Sequence, residues 1–286
     1  MLYSLKLTID QTHKKKKRIM KHSMRKICTL AALTLLIYSC KKQSTFEETQ
    51  AISDATLNQI AALGFSNKNV VVHEEGYLVE GDIVLRPEDL GRNMQENFLR
   101  VGTEEQYRTT NLVNSLPRII RVAISNKLPS SYVTALDEAL RRFNAENLQI
   151  TFQRVSSSAH ITLSKANGSY LASAGFPTAS GEPYSSVQVN SRAIGTGTST
   201  QWVNYAATII AHEIGHCIGF RHTDYMNRAY SCGGSTANEG ASSVGAVLIP
   251  GTPSGPDPNS WMLACIGSGV NRPFNSNDRT ALSTLY

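Results

Sequence analysis

The residues best suited to chemistry lie in one run, His212 to Asp224, which reads HEIGHCIGFRHTD. His212 and His216 are four positions apart. On a helix they share a face, so both imidazoles can reach one metal ion. Glu213 follows the first histidine and is suited to act as general base on a metal-bound water rather than as a ligand. Gly219 can adopt a positive φ, end the helix and turn the chain. The turn would bring His222 round as a third ligand. Three histidines and a water make the open coordination that a catalytic zinc needs. A bare HExxH arises by composition in roughly one chain in a hundred of this length, and the added glycine and histidine lower that by about a thousandfold.

These side chains need a rigid support. The run YAATIIAHEIGHCIGF is apolar almost throughout and predicts a buried helix, with Ser199 or Thr200 as its cap. The extended motif HExxHxxGxxH resembles the zinc-binding consensus of the metzincin metalloendopeptidases. The wording HEIGH followed by HTD is similar to bacterial HEIGH-type metallopeptidases. The resemblance implies an α+β metzincin-like zincin domain with a small mixed sheet, an active-site helix, a methionine-containing turn under the metal and a C-terminal helix. The turn is expected in NSWMLAC, at Met262. Met226 is a rival, but it is only four residues past His222. The segment FNSNDRTALSTLY resembles the closing helix of matrixin-like and astacin-like enzymes. Astacin-like enzymes place a metal-binding tyrosine two residues past the methionine. Here Ala264 stands there, so a fifth ligand is not expected from that position. Asp224 is expected to bond locally beneath the site.

The segment LVEGDIVL is similar to the propeptide motif of astacin-like enzymes, in which an aspartate blocks the zinc. On that resemblance Asp82 is a latency ligand, since a carboxylate oxygen binds zinc well and would displace the reacting water. The alternative is that Gly81-Asp82 only forms a hairpin turn. No cysteine lies between Cys40 and Cys217, so a prosegment cysteine cannot play that part.

The 286 residues carry a net charge of +6, which by itself points to an anionic partner. The first 40 residues hold nine of the 28 Lys and Arg and one of the 22 Asp and Glu, so residues 41–286 are net −2 and nucleic-acid binding loses its support. The basic residues Lys14 to Arg18, Lys21, Arg25 and Lys26 precede the apolar run ICTLAALTLLIYSC, as in a signal peptide, with Met20 or Met24 as candidate starts. Its ending resembles a bacterial lipobox, although Tyr38 is larger than usual there. Cys40 is therefore expected to carry lipid, with an ordinary signal peptide as the alternative. This implies an outer-membrane or surface lipoprotein of the bacterial envelope, or else a secreted protein. Of the remaining cysteines, Cys232 and Cys265 flank the loop between the zinc motif and the Met-turn and are the expected disulfide; Cys217 reads as a buried thiol. The other pairings stay open.

The chain divides into a leader (1–40), a tether and prosegment-like region (41–110) and a catalytic domain (111–286). ISDATLNQIAALGF predicts a short helix, and NVVVHEEGYLVEGDIVLRPEDL two strand-like runs, with His73 at the surface. Residues 91–115, with Arg92, Arg100 and Arg108, read as a linker open to activating proteolysis. PRIIRVAISN predicts a strand, and SSYVTALDEALRRFNAEN a helix with Val133, Leu136, Leu140 and Phe143 on one face. LQITFQRV, AHITLSKA and SSVQVNSRAI predict three further strands. The stretch NGSYLASAGFPTASGEPY reads as loop, and His160 as a structural histidine. By the resemblance, SSVQVNSRAI is the edge strand that would hold an extended peptide.

Together these readings predict a zinc-dependent endopeptidase, acting as a monomer on peptide or protein substrates. A non-catalytic peptide- or glycan-binding surface lipoprotein is the principal alternative, and a zinc hydrolase of cell-wall peptides or small amides another. A retired binding protein would have little need of Glu213.

Overall fold

A computed structural model describes residues 51–63, 65–90, 106–234, 246–252 and 257–286. The leader with Cys40, the tether, Arg92 and Arg100 lie outside these residues. Residues Ile52–Tyr286 group as one compact unit. No helix among the described residues is long and apolar enough to cross a membrane.

The fold is α+β, as expected. Strands β1 (Val71–His73), β2 (Gly76–Val79) and β3 (Ile83–Leu85) follow helix α1 (Asp54–Ala62), whose first turn is capped by Ser53. The short helix α2 (Pro87–Leu90) closes this region. After β4 (Tyr107–Arg108) come β5 (Arg118–Ile124), α3 (Ser131–Asn144), β6 (Ile150–Arg154), β7 (Ile161–Lys165), β8 (Ala172–Ala174) and β9 (Ser186–Val189). A helical turn α4 (Ser191–Ile194) leads to the long helix α5 (Thr200–Ile218). The chain ends with α6 (Ala229–Cys232), β10 (Val247–Leu248) and α7 (Ser276–Leu285).

Eight strands form one mixed sheet in the order β1-β2-β3-β8-β9-β7-β5-β6. Strands β6, β5, β7 and β9 run parallel, β8 is antiparallel to β9, and β3 joins β8 in parallel through Ile83 and Ala174. Helix α3 presents Tyr132, Ala135, Leu136, Ala139, Leu140 and Phe143 to the core, the helical spacing expected of a covered face. Val133, expected on that face, is only half-buried, and Ser130 makes no capping bond. The Phe143 ring packs against Phe152, Trp261 and Phe274 at centroid distances of 4.7–5.4 Å.

Three sequence expectations are corrected. Strand β9, expected at an edge, lies between β7 and β8, and the stretch read as loop contains β8, which is bonded on its other side to β3. Residues 106–115 are not free linker. β4 pairs with β10, and Thr109 N–H donates to the Gly219 carbonyl at 2.8 Å. His73, read as a surface residue, is partly exposed and is hydrogen-bonded to β9 through Gln188 Oε1 at 3.2 Å. His160 is structural, its Nδ1 accepting from the Arg121 N–H at 3.0 Å.

The N-terminal hairpin is sandwiched between two cores. Leu78 and Val84 join the main core, whereas Val79, Ile83 and Leu85 meet Ile60, Leu63 and Phe65 in a small core of their own. This alternation is the period of a strand, so β2 and β3 each bury both faces.

Candidate metal centre

Helix α5 begins at Ser199, whose side chain accepts from Trp202 N–H at 3.2 Å, and is buried from Tyr205 to its end. His212 and His216 emerge on one face. His212 Nδ1 donates to the Trp261 carbonyl at 2.9 Å and His216 Nδ1 to the Phe220 carbonyl at 2.8 Å. Both Nδ1 atoms carry the proton, so both Nε2 atoms carry a lone pair. Those two Nε2 atoms lie 3.1 Å apart.

Gly219 has φ +111 and ends the helix. A Cβ there would fall 2.9 Å from the Asn111 carbonyl oxygen, so glycine is required by backbone and neighbour alike. The chain beyond the turn is pinned by β4, with Arg221 N–H donating to the Tyr107 carbonyl at 2.8 Å. This returns His222, fully buried, to the other two histidines. The segment around β4 thus positions the third histidine, a role not read from the sequence.

Asp82, 130 residues before His212, reaches the same point. Its Oδ2 lies 3.2 Å from His222 Nε2 and 3.5 Å from His212 Nε2. One ligand atom from each of Asp82, His212, His216 and His222 falls within 4.8 Å of every other. A tetrahedron of ligands about 2.1 Å from its centre has edges of about 3.4 Å. Two facing lone pairs repel unless a cation lies between them, so the donor set fits zinc. Glu213 is buried beside it, its Oε2 without a hydrogen-bond partner among the described residues. Burial and the neighbouring Asp82 charge push the Glu213 carboxyl well above the usual range, against an opposing pull from His222. Burial and the adjacent imidazoles hold His216 well below its usual range, the neutral form that metal ligation needs.

Met262 is fully buried under the helix, and its carbonyl accepts from Thr223 N–H at 3.0 Å. Gly215 is what admits it: a Cβ at Gly215 would lie 2.6 Å from the Trp261 ring and 2.7 Å from Met262 Sδ. Gly215→Ala should overpack this contact, lowering stability by about 1–3 kcal/mol and weakening zinc affinity, because the Trp261 carbonyl orients His212. Thermal melts and a zinc titration read both effects, and an unchanged affinity would dismiss the link. Asp224 bonds locally, as expected, accepting from Ala264 N–H at 2.9 Å and Ser231 Oγ at 2.5 Å. Cys232 and Cys265 form a disulfide, and Cys217 is a free buried thiol. The bridge spans a sequence separation of 33, so Cys232→Ser with Cys265→Ser should cost about 3–4 kcal/mol by chain entropy. A denaturant midpoint that does not move would refute this.

Residues 77–286 match the model of the family described as dual-action HEIGH metallo-peptidase. The chain belongs to this family. It is a zinc metallopeptidase, and its substrates are peptides or proteins. No curated protein matches the chain. Among solved structures, this HEIGH metallopeptidase is similar to myroilysin (16% identity, 63% of this chain and 98% of that one, TM-score 0.43). A second myroilysin structure matches at 14% identity, over 72% of this chain and 98% of that one, with a TM-score of 0.37. The high choriolytic enzyme 1, a hatching enzyme zinc-protease from the medaka fish Oryzias latipes, matches at 18% identity over 58% of this chain and 88% of that one, with a TM-score of 0.31.

The sequence reading missed a second acidic contact. Arg221, inside the zinc motif, donates to both oxygens of Glu80 at 2.7 and 2.8 Å, and both side chains are fully buried. The guanidinium also lies 4.3 Å from the centroid of the Phe65 ring. An arginine next to a ligating histidine was the available signal. Its partner, 141 residues away, left none.

Proposed function

We propose that this zinc metallopeptidase is an endopeptidase in which Glu213 is the general base and the segment around Asp82 blocks the cleft. The observation that carries the proposal is the position of Asp82 Oδ2, 3.2 Å from His222 Nε2, at the point on which the three histidines converge. His212, His216 and His222 would hold zinc through Nε2. When bound, zinc supplies Lewis acidity, activating water and polarising a peptide carbonyl. The Trp261 and Phe220 carbonyls keep two imidazoles in the ligating tautomer. Glu213 accepts a proton from the attacking water and passes it to the leaving amine.

Three contacts dock the N-terminal hairpin over this cleft. Asp82 lies on the histidines, Glu80 on Arg221, and Glu75 accepts from Tyr184 Oη at 2.5 Å and Ser186 Oγ at 2.8 Å. Burial raises Glu75, but the bonds from Tyr184, Ser186 and Gln188 outweigh it and hold the carboxyl below its ordinary range. Strand β3 meanwhile occupies the free side of β8, where an extended substrate would pair. We further propose that Cys40 carries the lipid of a monomeric envelope lipoprotein, on the strength of the basic and apolar leader, with secretion as the alternative.

The test is cleavage of a mixed peptide library by the zinc-loaded chain carrying Asp82→Ala, which removes the blocking carboxylate, with and without a chelator. Internal cuts that vanish on chelation and return with zinc are expected. Removal of terminal residues alone would refute the endopeptidase reading.

A further inference from the structure

A cavity of about 450 Å³ opens beside His212 and Glu213. Its walls are mainly apolar: Ile209 from α5, Leu263 and Ile266 after the Met-turn, and Leu171 beside β8. The charged groups lining it are Asp82, Glu213, Arg228 and Arg272. Asp82 belongs to the docked segment and Glu213 to the chemistry. Arg228 is engaged with the Glu80 carbonyl and the Cys232 sulfur.

Arg272 is the exception. It is half-buried, and its Nη1 donates to the Cys265 carbonyl at 2.8 Å. No ion pair to Arg272 is found among the described residues; Asp224 and Asp278 act on it only through space. Burial lowers its pKa, which marks a cation whose hydration is incompletely replaced. The neighbouring Arg142 is different, being bound to Glu138, Thr208 and Asn271. The base of Arg272 is also fixed. Its N–H donates to Thr208 Oγ1 of the zinc helix at 3.1 Å, and Cys265 is anchored by the disulfide. A guanidinium braced at one corner, in an apolar pocket, has donors to spare for a planar anion.

We propose that this cavity is a side-chain subsite that selects an acidic residue next to the scissile bond, with Arg272 as the recognising group. The proposal rests on the peptidase reading and names its substrate class. A glutamate or aspartate side chain has the length and planar carboxylate that an arginine fork pairs with in two hydrogen bonds. Adjacency to the scissile bond follows from the wall shared with His212 and Glu213. Glutamine at the same position would fit the space and forfeit the charge.

Binding tests this without turnover. The full zinc-loaded chain carrying Glu80→Gln, Asp82→Ala and Glu213→Gln is titrated into labelled hexapeptides that differ by one residue, Glu, Gln or Leu, and anisotropy is read. The Glu peptide should bind at least about tenfold tighter than its Gln twin, as charge-assisted pairing predicts. Arg272→Met should abolish that difference, and Arg272→Lys should restore part of it. Thermal melts show that each variant is folded, and Arg272→Lys decides the matter should Arg272→Met unfold. No peptide binding, no Glu preference, or a preference that survives in the variants would overturn the subsite. Restoring Glu213 separates the two readings. Retained preference without internal cleavage refutes the endopeptidase reading alone, and cleavage indifferent to glutamate refutes the subsite alone.

Discussion

Glu213→Gln is expected to bind zinc as the parent chain does and to lose about 10²–10⁴-fold in turnover, the range that a positioned general base contributes. The geometry makes this a clean experiment. Glu213 Oε2 is buried and without a hydrogen-bond partner among the described residues, so the amide of glutamine enters the same space without breaking a bond at that atom. The three imidazoles are oriented by other groups. His212 is held by the Trp261 carbonyl and His216 by the Phe220 carbonyl, and His222 is placed by the turn at Gly219. Metal content by atomic absorption should therefore stay near one per chain while kcat falls. His216→Ala is the contrasting variant and should lose metal and turnover together. Activity within tenfold of the parent in zinc-loaded Glu213→Gln would remove Glu213 from the mechanism and reopen the identity of the base.

How far the sequence reached depends on whether the signal was local. The zinc helix was legible because its histidines, its glycine stop and its serine cap all lie within 24 residues of each other, and each has a meaning in isolation. Met262 was read from the metzincin resemblance, and the Cys232–Cys265 pair because these two cysteines flank the loop between the motif and that turn. Strand β8 was not, since Ala172, Ser173 and Ala174 lack the branched or aromatic side chains that mark strands. It is small because it lies against the zinc helix, a tertiary cause that no local pattern encodes. The role of β4 was hidden for a similar reason. Tyr107 and Thr109 act through backbone groups, their carbonyl and N–H fixing the turn before His222. Glu80 and Arg221 looked like ordinary charged residues until the fold buried them together. Asp82 alone among the distant residues was found, through a short resemblance, and the structure brings it to the histidines.

Asp82→Ala in the full chain should raise peptide cleavage by about 10- to 100-fold. A hydrogen bond to a charged partner is worth about 1.5–3 kcal/mol, and every 1.4 kcal/mol is tenfold in an equilibrium between blocked and open forms. The gain should be incomplete, because the segment has two further holds on the cleft. Ile83 remains paired to Ala174, and Glu80 remains bonded to Arg221. Removing one member of a fully buried ion pair costs about 3–5 kcal/mol, so Glu80→Gln alone should loosen the hairpin while the carboxylate of Asp82 still faces the histidines. The double variant should exceed either single one but fall short of the product of their gains, because each contact positions the residue two places along the chain that makes the other, so each single change already weakens both. The measurements are initial rates on one fluorogenic peptide, at matched zinc content, with hydrogen exchange over residues 76–86 as a second readout. Faster exchange without faster cleavage would show that the hairpin opens and that something else limits the enzyme. Equal rates in all four proteins, with the hairpin equally protected, would show that Asp82 is a structural turn residue whose place beside the histidines does not restrain the reaction.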